Sequence, residues 1–282
     1  MLHIVTDGAG DLPSEWLKEF NIHIVPINIH FGEKTFLQYR DLDNEGFYNM
    51  VEQTKRVPKT SQPSPHQFVE FYKSIAQAGD TILSVHVTSK LSGTFDSAVA
   101  ASRELAGVFN IIPFDSGCGS AGLGMMCKEA RLLERAGATV EKIVARLESI
   151  KAHVTIVLTL ETLEYARLSG RVGTLQAALA SILNVKPIVT LQEGMLQMTE
   201  RVRKRSAALD RIIQIVKDKF GDQPLHMAVV HAHDTESCHL LMEKVRQMFD
   251  IRELIMTDLS ISVAANLGPG TVGIVAYPVE KG

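Results

Sequence analysis

Short runs of β-branched and other apolar residues alternate with stretches in which apolar positions recur every three or four residues. In the first half of the chain the short runs are Leu2–Thr6, Ile22–Ile29, Thr81–Val87 and Ile111–Phe114, and they predict strands. The longer stretches, Ser14–Phe20, Glu45–Gln53, Pro65–Ala78, Gly93–Ala106, Ala121–Ala136 and Val140–Lys151, predict helices. Strands separated by helices pack best as a parallel sheet covered on both faces. Two helix starts are marked. Ser64-Pro65-His66-Gln67 is a capping box with proline in the first turn, and Ser92 is placed to cap the helix that follows it.

The pattern changes after residue 155. Val154–Leu160 reads as an apolar strand and Leu175–Leu183 as a short, nearly uncharged helix. Pro187–Leu191 and Met195–Glu200 flank Glu193-Gly194, a hairpin turn. Helices over Ala207–Phe220 and Thr235–Phe249, the second capped by Asp234, are interleaved with strands at Leu225–Val230, Glu253–Asp258 and Thr271–Tyr277. The fold expected is α/β in two domains. Residues 1–155 form an N-terminal parallel-sheet α/β/α domain, and residues 156–282 form an α+β domain with a mainly antiparallel sheet.

Composition narrows the function classes. The 282 residues are 45% hydrophobic and 22% charged, with a formal net charge of -3 and no long basic block, which argues against nucleic-acid binding. The start of the chain lacks the features of a signal peptide, and the longest uncharged stretch, Leu259–Val279, is broken by Gly268-Pro269-Gly270. Three cysteines without close pairing fit a reducing, cytoplasmic setting.

Two hydroxyl-rich turns carry the candidate chemistry: Thr60-Ser61-Gln62-Pro63 and Leu91-Ser92-Gly93-Thr94. Each precedes a helix, whose first N–H groups and dipole favour an anion. Ser92 reads as a ligand donor, a helix cap or, with less support, a nucleophile, because the glycine before serine in a G-x-S-x-G elbow is missing. Asp7 and Asp11 follow the first strand; they could hold a metal, but a turn-organising role, with capping of the Ser14 helix, is favoured. His231-Ala232-His233-Asp234 resembles a metal cluster at first sight, yet Asp234 is a good helix cap and no further ligand is suitably spaced. Asn266, just before Gly268-Pro269-Gly270, offers an amide donor. Arg201, Arg203 and Arg205 alternate, so an extended backbone would point all three one way, and Arg171 sits in a separate Gly-rich turn.

Taken in order, these blocks resemble the DegV family, bacterial fatty-acid-binding proteins that act as the lipid-carrying subunit of fatty acid kinase. The matching residues are Thr6-Asp7 with Asp11-Leu12-Pro13, Thr60-Ser61-Gln62-Pro63, Leu91-Ser92-Gly93-Thr94, Asp115-Ser116, Gly170-Arg171, Val185-Lys186-Pro187-Ile188, Gly194, the Arg201 and Arg203 stretch, and Gly268-Pro269-Gly270 with Gly273. The resemblance implies two α/β domains with a fatty acid between them. It places the carboxylate on Thr60 or Ser61, on Ser92 and on the Gly93 N–H. Asn266 stands where the family commonly has histidine, and Gly8 where it usually has serine. Arg171 and Arg201 or Arg203 match the residues that engage the kinase.

The expected function is therefore a binding subunit rather than an enzyme. It takes a long-chain fatty acid as ligand and no cofactor or metal, and presents the carboxylate to an ATP-using fatty acid kinase subunit. A transient contact with a membrane surface is compatible with this role. About fifteen buried methylenes at roughly 0.8 kcal/mol each approach ~12 kcal/mol before association costs, so the head-group bonds mainly set position. Lining candidates for the acyl tunnel are Leu158, Leu160, Leu163, Ala166, Leu168, Leu175, Ala178, Leu179, Ile182, Ile188 and Val263. Alternative readings are a small serine hydrolase using Ser92 and a binding protein for another small anionic metabolite.

Overall fold

The computed structural model describes residues 1–173 and 185–280. Contacts divide the chain into two units, Met1–Ala152 with Ser260–Ser262, and His153–Leu259 with Val263–Gly282. The helix expected over Leu175–Leu183, with the lining candidates Leu175, Ala178, Leu179 and Ile182, lies outside the described residues.

The first unit contains β1 (Leu2–Asp7), α1 (Ser14–Glu19), β2 (Ile22–Val25), β3 (Asn28–Phe31), β4 (Lys34–Leu37), α2 (Asn44–Thr54), β5 (Lys59–Ser61), α3 (Pro65–Ile75), β6 (Thr81–His86), α4 (Thr94–Glu104), β7 (Asn110–Asp115), α5 (Ser120–Arg135) and α6 (Val140–His153). Four strands form a wholly parallel sheet in the order β2-β1-β6-β7. On one face Val5, Val25 and Ile82 pack with Phe68, Val69 and Tyr72 of α3 and Ala98 and Ala101 of α4. The cap of α3 follows the expectation: Ser64 Oγ accepts the Gln67 N–H and Gln67 Oε1 accepts the Ser64 N–H, satisfying two donors that the helix itself leaves open.

One expectation is corrected here. The run Ile22–Ile29 is two strands, not one. Proline at position 26 lacks an N–H to continue the ladder. Beyond it, β3 leaves the parallel sheet and joins a separate antiparallel sheet in the order β4-β3-β5. This small sheet places Thr60 and Ser61 on a strand.

The second unit contains β8 (Thr155–Thr159), α7 (Glu164–Ser169), β9 (Val172–Gly173), β10 (Lys186–Gln192), β11 (Met195–Val202), α8 (Arg205–Phe220), β12 (Leu225–His231), α9 (Thr235–Met248), β13 (Ile251–Asp258), α10 (Ile261–Leu267) and β14 (Val272–Pro278). Its mixed sheet has the order β13-β12-β14-β8-β10-β11-β9, antiparallel except for the outermost pair at each end. The β10–β11 hairpin turns at Glu193-Gly194, both with positive φ (50° and 80°), the geometry that follows the strand twist. Val157, Ile188, Met227, Val229, Val272 and Ile274 point to the face covered by α8 and α9. Asp234 caps α9, its side chain accepting the Ser237 N–H at 3.0 Å.

Candidate ligand-binding site

Both hydroxyl-rich turns belong to the first unit, and the structure brings them together. The approach is so close that a Cβ on Gly93 would lie 2.7 Å from Gln62 Nε2, nearer than real carbon atoms come. Glycine at 93 is thus needed for space, its φ of -76° being open to any residue.

The two helix starts differ in what they leave unbonded. At α3 the capping box already consumes donors. At α4 the N-cap position is Gly93, which has no side chain to cap the helix. Ser92 therefore does not cap α4 in the expected way. Its Oγ accepts the Thr94 N–H at 3.3 Å and lies 2.8 Å from Thr94 Oγ1. The first turn of a helix leaves N–H groups without intrahelical partners at the positive end of its dipole, and at α4 the N-cap glycine has no side chain to take one.

Thr60 and Ser61, adjacent on β5, project to opposite faces. Thr60 stands opposite Ile29, which is fully buried, and Ser61 stands opposite Asn28. The Ser61 hydroxyl is 2.9 Å from His30 Nε2, and His30 Nδ1 is 2.9 Å from Thr35 Oγ1. Asn28 Nδ2 donates to the Gln62 carbonyl at 3.1 Å. His30 and Asn28 thus fix this turn, yet the sequence reading singled out neither. The signal that could have found them is the break at Pro26, which moves both onto the strand beside Thr60–Ser61.

The acids of the first turn are structural. Asp7 is fully buried; its carboxylate accepts the Ala9 and Val87 N–H groups at 2.9 Å each and lies 3.0 Å from His86 Nδ1. Asp11 accepts the Ser260 N–H at 2.7 Å and the Ser120 hydroxyl. It does not cap α1, whose N-cap residue is Pro13. Gly8 is pressed by Gln38, whose Nε2 donates to the Gly8 carbonyl at 2.9 Å.

In the second unit, Asn266 lies near the end of α10, and its carbonyl accepts the Ser169 hydroxyl at 3.2 Å. Of the arginines, the expected three-way alternation fails. Extended backbone ends at Val202, so Arg205 is the first residue of α8. It is held there by Asp234 Oδ2 at 2.6 Å and the Gly270 carbonyl at 2.7 Å. Arg171, Arg201 and Arg203 are exposed. Asp234 is thereby committed to a cap and an ion pair, and burial lowers the basicity of His231 despite Asp258 and Asp234 nearby. Among the described residues no group of His, Cys, Asp and Glu is arranged to hold a metal ion.

The lining candidates fall into different settings. Leu158, Leu160 and Ala166 are buried, Leu163 and Val263 half-buried, and Leu168 exposed. Ile188 belongs to the core under α8, whereas Leu158 points to the opposite face of the sheet from Val157. All three cysteines are free and buried, and burial pushes their thiols up to about 12, far from reactive thiolates. A serine nucleophile needs a base within hydrogen-bond reach, and the partners of the Ser92 hydroxyl among the described residues both lie on Thr94.

A family model described as "Uncharacterised protein, DegV family" matches residues 1–279. The chain belongs to the DegV family. It is similar to DegV domain-containing protein SCO2569 of Streptomyces coelicolor, with 31% identity covering 96% of each chain. Among solved structures, a fatty-acid-binding DegV family protein from Thermus thermophilus superposes with a TM-score of 0.89 at 28% identity, covering 99% of both chains. DegV of Bacillus subtilis, a fatty-acid-binding protein, gives 0.88 at 28% identity, again over 99% of both. The DegV fold is thus present over the whole described chain. No helix among the described residues is long and apolar enough to cross a membrane.

Proposed function

We propose that this chain binds a long-chain fatty acid and presents its carboxylate to an ATP-using fatty acid kinase subunit, which converts it to the acyl phosphate. The observation that carries this reading is the open start of α4 beside the Thr60 turn, in a family whose solved relatives bind fatty acids. Thr60, Ser92 and the Gly93 N–H supply neutral donors, and Asn266 adds an amide. Hydrogen bonds to a carboxylate are charge-assisted and stronger than neutral ones. Ser61 is engaged by His30 and supports the turn; Thr60, on the opposite face of β5, is the donor we assign to the ligand.

Leu158, Leu160, Leu163, Ala166, Leu168, Ile188 and Val263 are the described candidates for contact with the acyl chain. Phosphoryl transfer belongs to the kinase, and this chain contributes position rather than a reacting group. The setting is the cytoplasm, and the acyl phosphate feeds phospholipid synthesis.

Arg171, Arg201 and Arg203 form the contact for the kinase. With Arg171→Ala and Arg203→Ala, fatty-acid loading should stay intact while phosphorylation by the cognate kinase falls. Normal phosphorylation of both variants would contradict the assignment.

A further inference from the structure

Edge strands expose a row of unpaired backbone N–H and C=O groups, and proteins usually keep them short or interrupt them with proline. Most sheet edges of this chain follow that practice. In the first unit, β2 has four residues and β7 contains Pro113. In the second unit, β9 has two residues. A longer edge is β13, with eight residues, Ile251 to Asp258, and no proline. It pairs with β12 on one side, and no strand among the described residues pairs with the other.

The outer charges of β13 are complementary about Ile255, with Arg252 three residues before it and Asp258 three after. An antiparallel pairing of β13 with a second β13, centred on that residue, sets Leu254 against Met256, Glu253 against Thr257 and Arg252 against Asp258. The last pair occurs twice, once on each side of the twofold axis. A slip of one residue in one direction would set Glu253 against Asp258, two acids facing each other; a slip in the other loses the ion pair. Register is thus specified by charge.

The charged groups are accessible for this role. The side chains of Arg252 and Asp258 are 60% and 53% exposed. Arg252 reaches Asp250, the residue just before the strand, at 3.3 Å, and Asp258 lies 3.2 Å from His231. Met256 is also exposed. The register of β12 against β13 shifts once, beside Ile251 and Arg252, and runs regularly from Glu253 to Asp258. Ile251 and Leu254 both pack against the core beneath α9, so the irregularity takes up the extra residue. Arg252 is that extra residue, and regular alternation from Glu253 onward puts Leu254, Met256 and Asp258 on one face.

We infer that β13 is a self-association edge, through which two copies of this chain pair antiparallel about Ile255 with reciprocal Arg252–Asp258 ion pairs. The test is sedimentation equilibrium of the full chain over a concentration series, with Arg252→Asp and Asp258→Arg variants alone and mixed. Wild type should show a reversible monomer–dimer equilibrium. Each variant alone places like charges opposite each other twice, and should raise the dimer dissociation constant about tenfold or more. The equimolar mixture should recover the dimer, because every Asp then faces an Arg. Both positions are exposed, so the variants should keep the wild-type melting profile when measured at concentrations where the wild type is monomeric. A wild type that stays monomeric throughout would overturn the inference, as would a dimer indifferent to the two charge reversals.

Discussion

Gln62 and Gly93, thirty-one positions apart, are packed so that a single methyl on the glycine would come within 2.7 Å of the glutamine amide nitrogen. This contact joins the Thr60 turn to the open start of α4 and sets the spacing of the donors proposed to hold the carboxylate. The neighbour is the far end of a side chain, so the protein can yield by moving Gln62. Gly93→Ala should therefore cost only about 1–2 kcal/mol of stability. Its larger effect should be on ligand: oleate affinity should fall roughly ten- to hundredfold, since a misplaced donor loses a charge-assisted bond worth ~1.5–3 kcal/mol. Titration calorimetry and urea unfolding of the same variant separate the two effects.

Thr60 and Ser61 should respond differently to loss of their hydroxyls. Thr60→Val keeps the shape of a strand residue and should weaken fatty-acid binding. Ser61→Ala removes the partner of His30 and should cost about 1 kcal/mol of stability with binding retained. The reverse pattern, measured by oleate displacement and thermal melting, would reassign the donor to Ser61.

Much of this architecture could be read from local chemistry. The Ser64–Gln67 box, the Glu193-Gly194 turn and the Asp234 cap are decided by residues adjacent in sequence, and all three form as expected. The Ile22–Ile29 run misled because its hydrophobicity is continuous across Pro26, while the ladder it must form is not. The fate of Arg205 was hidden for another reason: its partners, Asp234 and the Gly270 carbonyl, are supplied by distant segments. The separate roles of Thr60 and Ser61 depend on which neighbour β5 pairs with, which no local pattern encodes.

Asp234 gives a pH signature. Burial opposes its ionisation, but the Ser237 backbone and side chain and the Arg205 guanidinium outweigh this and hold the carboxyl below its ordinary range. A depressed folded-state pKa stabilises the protein fully above about pH 5, and that contribution is lost as pH falls through the folded-state value. Asp234→Ala should cost about 1–2 kcal/mol at neutral pH. Asp234→Asn should retain the cap and lose the ion pair, giving a smaller deficit and a flatter acid limb. Urea unfolding between pH 3 and pH 7, values chosen to bracket the usual aspartate range, makes the comparison.

The central claim is that this chain carries a fatty acid by its carboxylate. Native mass spectrometry of the purified protein, followed by solvent extraction and lipid analysis, tests it most directly. The account predicts a mass increment equal to one long-chain fatty acid, recovered in the extract and much reduced in a Thr60→Val, Ser92→Ala double variant. A protein that arrives empty and takes up neither oleate nor palmitate when offered them would contradict it.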